Sequence, residues 1–214
     1  MSMTWTRAFG RVCGILLDAI VRWLALSRIN PNVLTFLGLV VNTVAAFLFG
    51  YANASNQGRM FFYAGLVIIG SGFFDLVDGR VARASNQVTK FGGFFDSVID
   101  RYSDASQLFG LLVFYARGDR FFYVALSAFV MVSSIMVSYS RARAESLIGS
   151  CKVGFMERPE RLVLIIIGAL FNRMAPVLWI IAVLSTITVI HRIRYTWTRT
   201  EGVPAVASSP GQAA

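Results

Sequence analysis

The sequence predicts an all-α membrane protein: six transmembrane helices preceded by an N-terminal interfacial amphipathic helix. Three observations carry that expectation. Hydrophobic residues make up 56% and charged residues only 14% of the 214-residue chain, with a mean hydropathy of +0.64, outside the range of an ordinary soluble domain. The apolar residues gather in runs long enough, at ~1.5 Å per residue, to cross a hydrocarbon core of ~30 Å. The basic residues, which give a net charge of +9, fall in short segments between those runs rather than on one polar surface. That distribution argues against a nucleic-acid partner and for an anionic membrane face or a phosphorylated substrate.

Residues 1–29 form a cytoplasmic N-terminal segment. Within it, residues 11–27 place Arg11, Asp18 and Arg22 on one helical stripe and Val12, Leu16, Ile20, Trp23 and Leu24 on another, the pattern of a helix lying in the membrane surface. Asp18 and Arg22 interrupt the apolar part and no small-residue cleavage site follows, so the segment is expected to stay on the mature protein. Asn30-Pro31 supplies a cap and first turn, and the first span runs to about residue 52. Five further spans are expected at about 59–82, 91–116, 120–146, 160–173 and 174–197, forming one domain over 30–200. The tail over 201–214, rich in Pro, Ser, Gly and Ala, has no apolar periodicity and reads as disordered.

Six spans leave both termini on one side of the bilayer. That side carries four Lys or Arg before the first span, three at 80–90, five at 141–161 and three at 192–199, against Arg59, Arg117, Arg120 and Arg173 on the other. The termini and the segments beside them are therefore expected in the cytoplasm of a multi-pass cell-membrane protein. Cys13 and Cys151 are far apart and lack disulfide or zinc spacing.

The chemistry concentrates in one stretch. Asp75, Asp78, Gly79, Ala82 and Arg83 are followed by Gly92, Asp96 and Asp100, a pattern D-x2-D-G-x2-A-R-x8-G-x3-D-x3-D. If both halves are helical, Asp75 and Asp78 share one face of the second span, and Asp96 and Asp100 one face of the third. A short turn near 85–90 brings those faces together. Four carboxylates near hydrocarbon require cations. Oxygen donors without His or Cys suit hard ions such as Mg²⁺ or Mn²⁺, and four carboxylates can hold two of them, as in two-metal phosphoryl-transfer sites. Gly79 and Gly92 leave room for a substrate headgroup, and Arg83 offers a phosphate-matching fork. The plainer alternative is a set of buried ion pairs with Arg80, Arg83 and Arg101.

This pattern resembles, in every position, the signature of the CDP-alcohol phosphotransferase family. The resemblance implies that Asp75, Asp78 and Asp96 ligate two divalent metals holding the diphosphate of a CDP-linked lipid. Asp100 becomes the general base, a metal ligand, or both. Gly79, Ala82, Arg83 and Gly92 would line the pocket for the CDP-lipid, and Asn32 and Thr35 resemble positions near the cytidine. Those two also read as a helix cap and a back-bonded threonine. The implied reaction is attack by an alcohol on the lipid-side phosphorus of CDP-diacylglycerol with loss of CMP, and the family suggests a homodimer.

The segments Ser138-Tyr139-Ser140-Arg141-Ala142-Arg143-Ala144-Glu145 and Glu157-Arg158-Pro159-Glu160-Arg161 resemble the prokaryotic phosphatidylinositol phosphate synthases and their archaeal relatives. By that resemblance Arg141, Arg161 and Arg192 would grip the phosphate of an inositol phosphate acceptor; glycerol 3-phosphate is the alternative. Arg141 stands where the bacterial enzymes commonly carry lysine. Asp104 is expected to pair with Arg101 or to support the site, and His191 to sit at the surface. A cation channel or transporter is disfavoured, since all four acids lie at one end of the spans and no internal repeat is visible.

Overall fold

The computed structural model describes residues 30–85 and 87–201. The interfacial helix expected over 11–27 and the tail after residue 201 lie outside them. The described residues form six helices: α1 Pro31–Tyr51, α2 Gln57–Ala84, α3 Lys90–Arg117, α4 Phe121–Ile148, α5 Arg158–Leu170 and α6 Met174–Thr200.

Local chemistry sets most of the boundaries. Asn30 caps α1, accepting from the backbone N–H of Asn32 at 3.0 Å, with Pro31 in the first turn. Thr89 caps α3 by accepting from Gly92 N–H at 2.9 Å. Helix α4 stops at Gly149, whose φ of 76° is the left-handed conformation that glycine adopts without steric cost. A reciprocal capping box between Glu157 and Glu160 starts α5 two residues earlier than the expected 160. The turn Phe171-Asn172-Arg173 closes when Arg173 N–H donates to the Gly168 carbonyl at 2.7 Å.

Helices α1, α2, α4 and α6 are long and apolar enough to cross a membrane. Helix α3 matches α2 in length, at 28 residues, but carries Asp96, Asp100, Arg101 and Asp104 within its first fifteen. Helix α5 has 13 residues, a rise of ~20 Å at ~1.5 Å per residue, short of a ~30 Å core. Length and composition thus support four of the six expected spans.

Each helix packs on two others. Helix α1 lies against α2 and α3, α3 against α4, α4 against α6, α6 against α5, and α5 back against α2, so the six close a ring. Its interior is filled by Phe49, Phe61, Ile68, Leu108, Leu111, Val130, Ile165, Leu178 and Ile181. Large apolar side chains such as Phe36, Phe47, Phe62, Phe73, Phe129, Trp179 and Ile190 point outward, as an exterior wetted by lipid requires. A buried polar chain crosses α1, α2 and α3: Gln107 donates to Asn42, Asn42 to Ser71, and Ser71 to the Gly38 carbonyl.

The contact between α1 and α3 is the tightest. A Cβ on Gly110 would run into the Ala46 carbonyl oxygen and lie 2.8 Å from its Cα, so α3 reaches α1 only because residue 110 has no side chain. Gly110→Ala is expected to cost about 1–3 kcal/mol of overpacking and to lower the melting midpoint in detergent. Gly70→Ala, at an exposed helical position with nothing within 4 Å, should leave the midpoint unchanged or raise it. Equal midpoints for the two variants would contradict the packing described.

Candidate active site

The C-terminal part of α2 presents Asp75 and Asp78, and the N-terminal part of α3 presents Asp96, Asp100 and Asp104 at four-residue intervals. The few residues of sequence between α2 and α3 and the packing of α1 on both helices hold these faces together. Thr35 on α1 donates its hydroxyl proton to Asp78 Oδ2 at 2.6 Å, with the Pro31 carbonyl at 3.3 Å. The back-bonded threonine is therefore also a ligand of a signature carboxylate. Asn32 is not the cap of α1, since Asn30 fills that role. Gly38 lies where a Cβ would come within 3.1 Å of Asp75 Oδ1, which lets α1 close over the acid. Sequence reasoning missed it, because a glycine inside an apolar helix gives no sign of what it faces.

Two cavities flank the aspartates. The first, of about 260 Å³, is lined by Asn32, Thr35, Asp78, Gly79, Ala82, Arg83, Gly92 and Asp96, with Pro31, Gln87, Val88, Thr89 and Gly93. It thus gathers every residue expected in the CDP-lipid pocket, together with two of the carboxylates. The second, of about 130 Å³, is lined by Asp100, Arg101, Asp104, Val137, Ser138, Arg141, Glu157, Arg158, Pro159 and Arg192. Asp96 and Asp100 stand one helical turn apart, so a single turn of α3 separates the two chambers.

The second cavity is built around one carboxylate. Glu157 Oε1 accepts from Arg141 Nη1 at 2.8 Å and from Arg192 Nη2 at 3.0 Å. Arg141 Nε also reaches Glu145 at 3.1 Å. Arg192 is 1% exposed and donates to the carbonyls of Val153 and Val137, tying the segment before α5 to α4 and α6. Met156 N–H donating to Thr188 Oγ1 at 3.0 Å fixes the same segment from below. Arg161 is not in this lining: it is 3% exposed and its Nη2 holds Asp104 Oδ2. Of the three arginines expected at an acceptor phosphate, the fold brings Arg141 and Arg192 to the cavity and sets Arg161 behind it.

The ion pairs differ from those expected. Asp104 pairs with Arg161 and, at 3.6 Å, with Arg158 Nε, while Arg101 Nη1 donates to the Ser97 carbonyl of its own helix. Arg158 stands among the signature acids, its Nη1 2.9 Å from Asp75 Oδ2 and 3.1 Å from Asp100 Oδ1. Its signal in the sequence was only its place beside Pro159 at the start of a helix. Its aim depends on α5 packing against α2, which no local pattern reveals. His191 is exposed and lines neither cavity.

The acids fit a divalent metal in donor type, being hard oxygens without His or Cys. Among the described residues no three such side chains converge on one point as they stand; Arg158 draws Asp75 and Asp100 toward itself. One guanidinium nitrogen nonetheless meets oxygens from both α2 and α3, so a cation can be shared across the two helices.

Residues 28–191 match the sequence profile of the family described as CDP-alcohol phosphatidyltransferase. The archaetidylinositol phosphate synthase of Pyrococcus horikoshii is 40% identical over 179 residues, which cover 83% of this chain and 88% of that relative. The crystal structure of the Mycobacterium tuberculosis phosphatidylinositol phosphate synthase with CDP-DAG bound is similar with a TM-score of 0.78 and 31% identity, over 89% of this chain and 98% of that one. The same enzyme in complex with manganese and citrate is similar with a TM-score of 0.77 and 31% identity, over 89% and 93% of the two chains. With six of the eight signature residues lining one cavity and the profile spanning most of the chain, this protein belongs to the CDP-alcohol phosphatidyltransferase family.

Proposed function

We propose that the protein transfers the phosphatidyl group of CDP-diacylglycerol to inositol phosphate and releases CMP. One observation carries the reading: Asp100 lines an arginine-walled cavity one turn of α3 from the cavity that holds Asp78 and Asp96. A nucleotide-linked lipid and an anionic acceptor can therefore meet across that turn. The two similar enzymes are named as synthases of archaetidylinositol phosphate and phosphatidylinositol phosphate, which agrees with an acceptor bearing phosphate. Glycerol 3-phosphate would meet the same arginines and is the second candidate.

Asn32, Thr35, Gly79, Ala82, Arg83 and Gly92 take the CDP moiety, with Arg83 as the phosphate fork. Asp75, Asp78, Asp96 and Asp100 are the residues to hold two divalent ions, Mg²⁺ or Mn²⁺, in keeping with the manganese complex of the M. tuberculosis enzyme. Such ions, when bound, neutralise charge on the diphosphate and stabilise the CMP leaving group. Arg141 and Arg192 hold the acceptor phosphate, with Arg161 supporting them through Asp104. Asp100 accepts the proton of the acceptor hydroxyl, whose oxygen forms a bond to the lipid-side phosphorus as the bond from that phosphorus to CMP breaks. No covalent enzyme intermediate is required.

The setting we propose is a cell membrane, with six spans over the domain 30–200, of which α5, shorter than the hydrocarbon core by itself, crosses together with the residues flanking it, and with residues 11–27 as an interfacial helix and 201–214 as a tail. The excess of arginine beside the aspartate end of the bundle supports a cytoplasmic face for the site and both termini. Family resemblance supports a homodimer.

Purified protein given CDP-diacylglycerol, Mn²⁺ and inositol phosphate should release CMP, and chelation with EDTA should stop the reaction until metal is restored; no release with any alcohol phosphate would sink the assignment. Asp100→Asn should lower kcat by roughly 10²–10⁴-fold while CDP-lipid binding survives, whereas loss of that binding would make Asp100 chiefly a ligand. Removing a charged hydrogen bond worth about 1.5–3 kcal/mol, Arg141→Ala should raise KM for inositol phosphate by about 10–100-fold. Equal rates of the unaltered enzyme on inositol and inositol phosphate would refute the acceptor assignment.

A further inference from the structure

Adjacent residues Glu157 and Arg158 each face a cluster of opposite charge. Glu157 Oε1 bridges Arg141 and Arg192 in the acceptor cavity, and Arg158 lies among Asp75, Asp100 and Asp104. Arg158 also lines the acceptor cavity, so one side chain borders both charge clusters.

The Arg158 contacts are strong in charge but poor in geometry. Asp75 and Asp100 share the single nitrogen Nη1, where the planar guanidinium fork is best matched by a carboxylate on two of its nitrogens. Its Nε is buried without a hydrogen-bond partner, Asp104 being 3.6 Å away. A guanidinium held this way can be exchanged for another cation but cannot simply leave, because uncompensated carboxylates at a membrane boundary are costly. A divalent ion ligated by Asp75 and Asp100 and a guanidinium at the same oxygens exclude one another by repulsion.

We propose that Arg158 is a positioning residue that couples cation loading of the aspartate site to recognition of a phosphorylated acceptor. Before loading it is the counter-ion of Asp75 and Asp100. A divalent ion on those carboxylates turns the guanidinium toward Arg141 and Arg192, where it adds a third positive group and competes for Glu157. The acceptor phosphate then enters a cavity whose net charge has become more positive. The coupling orders the reaction: the anionic acceptor binds well only after the metal that activates the phosphoryl donor is present. This rests on the proposed reading of Asp75 and Asp100 as metal ligands.

The test is direct binding to the full chain in lipid nanodiscs: Mn²⁺ by the electron paramagnetic resonance signal of the free ion, and radiolabelled inositol phosphate by equilibrium dialysis. Arg158→Gln should bind Mn²⁺ about tenfold more tightly, since no internal cation has to be displaced. The unaltered protein should bind inositol phosphate about tenfold more tightly with Mn²⁺ than without it, a coupling between two sites, and Arg158→Gln should lose that enhancement. Unchanged or weaker Mn²⁺ affinity in a folded Arg158→Gln, or an enhancement that persists in it, overturns the proposal. Should Arg158→Gln fail to fold, Arg158→Lys, whose compact ammonium reaches fewer carboxylates, must still bind Mn²⁺ a few-fold more tightly; unchanged affinity refutes the coupling. CMP release by the unaltered protein decides the proposed function separately, because it can succeed while these affinities show no coupling.

Discussion

Charge compensation of carboxylates at the end of a helical bundle governs much of this protein's architecture. Asp75 and Asp78 come from α2, and Asp96, Asp100 and Asp104 from α3. So many acids beside an apolar exterior repel one another and lose hydration, and the fold answers with specific partners: Thr35 on Asp78, Arg158 on Asp75 and Asp100, Arg161 on Asp104. Those partners arrive from α1 and α5, which explains why these two helices flank α2 in the ring.

The same constraint shapes the segment before α5. It must deliver Glu157 to one cluster and Arg158 to the other, so it is fastened by Met156 to Thr188 and by Arg192 to the Val153 carbonyl. A drift of this segment would disturb both charge clusters together. Deeper in the bundle the chain Gln107, Asn42, Ser71 and the Gly38 carbonyl fixes the relative depth of α1, α2 and α3. Ser71 lies one turn from Asp75, so this polar chain and the close approach of Gly38 to Asp75 Oδ1 set the same register. In an interior with little water such polar groups must satisfy one another, and they do so in few arrangements.

Legibility followed the range of the interaction. The helices were readable because apolar runs and the Asn30-Pro31 start act locally, and their ends fall within a few residues of expectation. The signature residues of the first cavity were readable because they recur at fixed spacing along two helices close in sequence, whereas Asn32 and Thr35, on α1, were reached through the family resemblance. Arg161 and Asp104 were less so: both were expected at separate tasks, yet they hold each other across 57 residues of sequence. Gly110 carried no sign that it admits the backbone of Ala46.

By itself, then, the sequence determined a helical, membrane-like chain, a carboxylate site at the junction of the second and third helices, and the phosphatidyl-transfer family to which that site belongs. Periodicity and short-range spacing are properties of neighbouring residues, and so survive in one dimension. Only the tertiary structure decided which cation meets which acid. That choice placed Arg158 among the aspartates, drew Arg161 behind the second cavity and centred Arg141 and Arg192 on Glu157, because electrostatic partners are selected by how α5 and α6 pack against α2 and α4, over separations that no local pattern encodes.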